Sequence, residues 1–134
     1  MYKVIGFPKT RAFRVLWMLE ELGLDYDVDP VKPRSEEAKA YNPSGKVPVL
    51  LVDGEAIFDS VAICQFLADS DARFTYPAGT LERARQDSWT QFAVNDVEKK
   101  AMSRAAAERA AEQAEYDFST LKRQLDREQE STII

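Results

Sequence analysis

The sequence predicts an α/β domain, a mixed four-stranded sheet with helices on both faces, followed by a short all-helical segment. Three observations predict it. Short apolar runs alternate with helix-period segments as far as Tyr76-Pro77-Ala78-Gly79. Two of those runs flank Asp53-Gly54 at the spacing of a two-residue hairpin. Beyond Gly79 there is neither proline nor glycine, and alanine is dense. The 134 residues and 15.2 kDa fit one ordinary domain or a small domain with an appendage. The change of texture divides the chain into residues 1–77 and 78–134.

Each element has its own reason. Tyr2 to Phe7 reads as a strand stopped by Pro8. From Thr10 to Leu22, Ala12, Val15, Leu16, Leu19 and Leu22 recur at helical spacing, and Gly23 is a natural C-terminal stop. Tyr26-Asp27-Val28-Asp29 reads as a second strand, bounded by Pro30 and Pro33. Ser35-Glu36-Glu37 opens a short helix with its acids where the helix dipole favours them. Asn42-Pro43-Ser44-Gly45 is a turn, and Val47 to Val52 reads as a buried strand. Ala56-Ile57-Phe58 pairs back across Asp53-Gly54. Asp59-Ser60 then caps a helix carrying Val61, Ile63, Cys64, Phe66 and Leu67. The order β-α-β-α-β-β-α, with a parallel crossover first and an antiparallel hairpin last, is the thioredoxin-like arrangement.

From Thr80 onward the pattern is helical. Leu81, Arg85, Ser88, Trp89, Phe92 and Val97 predict one helix through about Lys100, with Trp89 and Phe92 in a core. A compressed linker, Glu98 to Ser103, leads to a second helix. There Ala107, Ala111, Ala114, Phe118, Leu121 and Leu125 follow a heptad seam, the mark of a core or a helix-pair interface. Ala105, Ala106, Ala107 and Ala110 permit close approach, and Ser131 to Ile134 are expected to fray.

Composition narrows the chemistry. A net charge of −5 argues against nucleic acid, whose phosphates require clustered Lys and Arg. The absence of histidine excludes a Ser-His-Asp triad, a Cys-His pair and His-ligated zinc. One cysteine excludes an internal disulfide, a Cys-x-x-Cys redox pair and a four-Cys metal cage, so no metal is expected. No signal peptide and no membrane span is legible, so the sequence reads as that of a cytoplasmic protein. Reactive chemistry then falls to hydroxyls, carboxylates, Lys, Arg, backbone groups or a bound cosubstrate.

Sites in such folds lie at the carboxyl ends of parallel strands, beside helix N-termini. Three loops meet there: Phe7 to Arg11, Lys46 to Pro48, and Asp59-Ser60. The Thr10 hydroxyl either caps its helix or donates to an anion at the helix end, with Arg11 as the next donor. A cis bond at Val47-Pro48 would free the Val47 backbone to pair with an extended peptide. Asp59-Ser60 is either a plain N-cap or a receptor for an amino-acid head group. Lys46 either pairs with a carboxylate or is an ordinary solvated lysine. Cys64, among Ile63, Phe66 and Leu67, reads as a buried small hydrophobe.

Together these residues are more specific than any one alone. Phe7 to Gly23 resembles the opening of a glutathione S-transferase. Asn42-Pro43-Ser44-Gly45-Lys46-Val47-Pro48-Val49-Leu50 resembles that family's cis-proline segment, and Asp53-Gly54 followed by Ile57 to Ile63 resembles its acid-serine motif. The resemblance covers residues 1–77. Residues 80–98 look like the first helix of the family's C-terminal helical domain. It implies that Thr10 stands where many members carry a serine, or a tyrosine or cysteine in other classes, that stabilises the glutathione thiolate. It implies that Val47, beside Pro48, pairs with the cysteinyl part of glutathione. Asp59 and Ser60 would bind the γ-glutamyl group, and Lys46 would approach the glycyl carboxylate. Threonine in place of serine and aspartate in place of the commoner glutamate are departures. Family members continue through further helices that wall the electrophile pocket, so residues 78–134 read as a truncated helical domain.

The resemblance implies a glutathione transferase with a small electrophilic substrate, acting as a homodimer because two helices leave apolar faces uncovered. Its alternatives are a non-enzymatic module binding glutathione or a protein, and a glutathione-dependent disulfide reductase whose thiols both come from glutathione.

Overall fold

A computed structural model of the chain describes residues 1–132. The elements are β1 (Tyr2–Ile5), α1 (Ala12–Leu22), β2 (Tyr26–Asp29), α2 (Glu36–Tyr41), β3 (Val49–Val52), β4 (Glu55–Phe58) and α3 (Ser60–Asp71). Then come α4 (Leu81–Phe92), a π-helical stretch (Ala93–Glu98) and α5 (Lys99–Thr132). The strands lie in the order β2-β1-β3-β4; β1 and β2 run parallel, and the other two pairings are antiparallel. The predicted thioredoxin-like order is therefore present, with tighter bounds. β1 stops at Ile5 because Gly6 turns the chain, and β3 starts at Val49 because Pro48 has no N–H for the ladder. Gly6 has φ 134°, and a Cβ there would stand 2.9 Å from the Ala12 Cβ, so only glycine lets α1 close onto the end of β1.

Alternation along the central strands builds two cores. Val4 and Leu50 face α1 and α3, packing with Ala12, Val15, Leu19, Leu22, Ile63 and Leu67. Ile5 and Val49 point to the opposite face and pack with Val31 and with Ala38 of α2. Helices thus cover both faces of the sheet. α1 ends as expected at Gly23, where the N–H groups of Gly23 and Leu24 reach back to Glu20 and Leu19. α2 begins at Ser35, whose side chain accepts from the Ala38 N–H.

The chain forms two compact units, Met1–Gln86 and Asp87–Ile134. The first turns of α4 pack with the first unit. Arg83 forks onto Asp69 of α3 at 2.8 and 3.1 Å and donates to the Tyr76 carbonyl. Gln86 bonds Gln65, Thr75 and the Tyr76 N–H.

In the second unit two expectations are corrected. Glu98 to Ser103 is not a linker: with no glycine or proline to break it, the backbone passes through the π-helical stretch directly into α5. Trp89 and Phe92 are exposed rather than core, their rings meeting edge-to-face at 5.7 Å. The heptad stripe forms, and Ala107, Ala111, Ala114, Phe118, Leu121 and Leu125 are all exposed, with no cover among the described residues. Periodicity reports an apolar face, not the surface that buries it. Of the residues expected to fray, Ser131 and Thr132 close α5, while Ile133 and Ile134 lie outside the described residues.

Candidate functional site

The sheet register sets the site. Ile5 stands opposite Val49, and Val49 opposite Phe58, while Ile5 also pairs with Asp29. The loop after β1, the loop before β3 and the loop after β4 therefore leave the same edge of the sheet. Lys9, Arg11, Arg14 and Lys46 stand at this edge or one helical turn from it, against Asp29 and Asp59. In a chain of net charge −5, the edge is locally suited to an anion.

At the first loop, Thr10 is half-buried between Phe7 and the start of α1. Its hydroxyl donates to the Phe7 carbonyl at 2.7 Å and accepts from the Ala12 N–H at 3.2 Å. It thus makes the capping contact. Arg11 is exposed at the N-terminal boundary of α1.

The second loop is braced from within. Buried Asn42 donates to the Lys46 carbonyl and accepts from both the N–H and the hydroxyl of Ser44. The Arg34 N–H donates to the Gly45 carbonyl at 2.7 Å. Val47-Pro48 is a cis peptide. Val47 is half-buried, and among the described residues its N–H and C=O make no hydrogen bond. An unpaired pair of backbone groups at a strand end is a ready partner for an extended peptide. Lys46 is exposed beside it.

At the third loop, Asp59 has φ 76° and ψ 118°, a conformation costly for a residue with a Cβ, of order 1–3 kcal/mol. Its carboxylate accepts from the N–H groups of Val61 and Ala62 at 2.9 and 3.2 Å, which holds the strained turn and caps α3. Ser60 opens α3 and is buried. Its hydroxyl accepts from Arg14 Nη1 at 3.1 Å. Cys64, one turn on, is half-buried, and its thiol donates to the Arg14 carbonyl at 3.6 Å. Burial pushes that thiol up to about 11, with the nearby Arg14 charge opposing and Asp59 reinforcing the shift. At neutral pH it is a protonated packing group, not a nucleophile.

The fold therefore brings the loops of Thr10, Val47 and Asp59-Ser60 to one edge. Arg14 of α1 reaches Ser60, and the side chain of Val47 lies against Gly6. Sequence reasoning missed Arg14 and Asn42. A signal for Arg14 existed: four residues after Thr10, it shares that residue's face of α1. Asn42 read only as a turn former. Among the described residues no cluster of His, Cys, Asp and Glu could hold a metal ion. No described helix is long and apolar enough to cross a membrane.

Comparison with known proteins follows this geometry. Residues 10–70 match the family model described as "Glutathione S-transferase, N-terminal domain". The chain is 36% identical over 90 residues to the glutathione S-transferase GstA of Escherichia coli O157:H7, covering 60% of this chain and 45% of that protein. It is 43% identical over 94 residues to a maleylacetoacetate isomerase of Rhizobium meliloti (strain 1021), covering 66% of this chain and 44% of that protein. Among solved structures, it resembles the theta class glutathione S-transferase of Xanthomonas axonopodis pv. citri, which has glutathione bound. The TM-score there is 0.62 at 29% identity, over 71% of this chain and 49% of that one. The chain thus spans less than half the length of these relatives.

Proposed function

We propose that the chain, whose residues 10–70 match the N-terminal domain of glutathione S-transferases, binds glutathione at this sheet edge and stabilises the thiolate for attack on a small electrophile. The observation that carries the reading is the meeting of Thr10, the unpaired Val47 backbone and Asp59-Ser60 at one edge, in a chain whose own cysteine is protonated and packed. The edge offers donors but no nucleophile, so the sulfur arrives with the substrate.

In this reading the γ-glutamyl carboxylate sits on Ser60 and the N-terminus of α3, with Asp59 facing the ammonium. The Val47 N–H and C=O pair with the cysteinyl residue beside Pro48. Lys46 lies toward the glycyl carboxylate. Thr10 keeps its bond from the Ala12 N–H while its proton turns from the Phe7 carbonyl to the thiolate. That exchange replaces a neutral acceptor by a charged one and is favourable in sign. Arg11 supplies a second positive charge. The thiolate sulfur then forms a bond to the electrophilic carbon. In a substitution, the leaving group departs with the electron pair; in an addition, the pair is taken up by the substrate and protonated from solvent.

The family resemblance and the absence of any described membrane-crossing helix support a cytoplasmic setting. A homodimer completes the reading, because the stripe on α5 needs cover. In a parallel pair, Asp117 of one copy would lie next to Lys122 of the other across the seam formed by Phe118, Leu121 and Leu125, with the opposite charges complementary.

Calorimetric titration with glutathione tests the binding. A dissociation constant in the micromolar to low millimolar range supports it, and no heat of binding at several millimolar sinks it. Turnover of an activated aryl halide by the same sample separates a transferase from a binding module.

A further inference from the structure

We infer that Arg14 is a positioning residue for the head-group site: it fixes the Ser60 hydroxyl as a donor to a ligand carboxylate. The inference rests on the glutathione reading and assigns a residue that reading leaves out.

A serine hydroxyl has one proton and two lone pairs. Arg14 Nη1 occupies a lone pair at 3.1 Å, and a guanidinium has no acceptor to offer in return. The Ser60 proton must therefore point elsewhere, and the hydroxyl donates no hydrogen bond among the described residues. Ser60 is nevertheless buried, with 6% of its surface exposed, where an unspent hydroxyl proton is costly. At the first position of α3 the Ser60 N–H is the one left to a ligand, since Asp59 takes those of Val61, Ala62 and Ile63. A carboxylate there would take the hydroxyl proton and the Ser60 N–H together, with the Arg14 charge behind the serine oxygen. Arg14 is itself fixed, since its carbonyl accepts the Cys64 thiol proton from α3, so both ends of the residue tie α1 to the start of that helix.

The test uses two ligands: glutathione, and its analogue with a 4-aminobutyryl group in place of γ-glutamyl, which lacks only the α-carboxylate. Arg14→Met should raise the glutathione dissociation constant by about tenfold, the weight of one hydrogen bond to a charged group. Ser60→Ala should do the same, and the double variant should lose little more than either single one. None of the three should change affinity for the analogue by more than about twofold, which a general loosening of the fold would not allow. Arg14→Lys, which keeps a charged donor, should restore part of the affinity. Equal loss for both ligands, additive losses in the double variant, or unchanged glutathione binding by Arg14→Met would overturn the inference. Failure of the unaltered protein to bind glutathione would instead overturn the function on which it rests.

Discussion

The Thr10 hydroxyl carries two duties with one oxygen, and this makes its replacement informative. It accepts from the Ala12 N–H in the structure as it stands, and under the proposed function its proton turns to sulfur. Thr10→Val removes both. Stability should fall by about 1 kcal/mol for the lost cap. Turnover should fall about a hundredfold, as when one preorganised donor to a developing or resident anion is removed. Glutathione affinity should change little, and the rate should recover at alkaline pH as the bound thiol ionises without help. Thr10→Ser should keep the rate, and a Val variant with full turnover at neutral pH would move the thiolate's donor to Arg11 or the backbone. At this scale the sequence was legible where chemistry is local. An Asp-Ser pair ahead of an apolar helix announces a cap, and the structure adds only the strained φ of Asp59. Arg14 was not legible in the same way, because its partner is Ser60 and nothing in α1 alone says which of its polar residues turns toward α3.

Between elements, the tie from α3 to α4 is polar. Asp69 accepts a two-pronged contact from Arg83, which holds its carboxyl below the ordinary 3.8. A carboxylate depressed in the folded state stabilises above its unfolded value, and that contribution disappears as pH falls through the folded one. Asp69→Asn should therefore cost about 0.5–1 kcal/mol at neutral pH, the modest sum proper to a partly exposed pair. The difference from the unaltered protein should vanish near pH 2 (about two units under the ordinary carboxylate value). Urea unfolding at the two pH values measures it, and a variant equally weakened at both would assign the loss to packing. Strand and helix order were legible because period and punctuation agree: Gly23, Asn42-Pro43 and Asp53-Gly54 each end an element where the apolar pattern also ends. The π-helical stretch was not, because Ala93 to Glu98 contains no residue that demands the wider turn.

On the scale of the molecule, apolar burial is confined to the first unit. Both core clusters lie between Val4 and Ala68, and among the described residues none from Asp87 onward is buried. α5, 34 residues and about 50 Å long, exposes Phe118, Leu121 and Leu125. Helices in proteins owe most of their stability to packing of such a face. The proposed pairing of two copies through it predicts a dimer in sedimentation equilibrium at micromolar concentration. Phe118→Glu with Leu121→Glu should give a monomer that retains the fold of the first unit. A monomeric unaltered protein would discard the pairing. The heptad was readable in the sequence, but its partner was not, since a stripe on one chain carries no record of what lies against it.

The alternation of β3 has a consequence for how this chain tolerates change in length. Val49 serves the core under α2 and Leu50 the core under α1 and α3, while two residues upstream Val47 reaches the ligand edge. Deleting or inserting one residue between Val47 and Leu50 would hand each side chain to the wrong face and shift the edge by half a pleat. Both cores and the binding loop would fail together. The same edit at Asp53-Gly54, on the far end of the hairpin and exposed, would alter only a turn. Length variation is therefore confined to the end of the sheet opposite the ligand, and the site inherits its position from the parity of one four-residue strand.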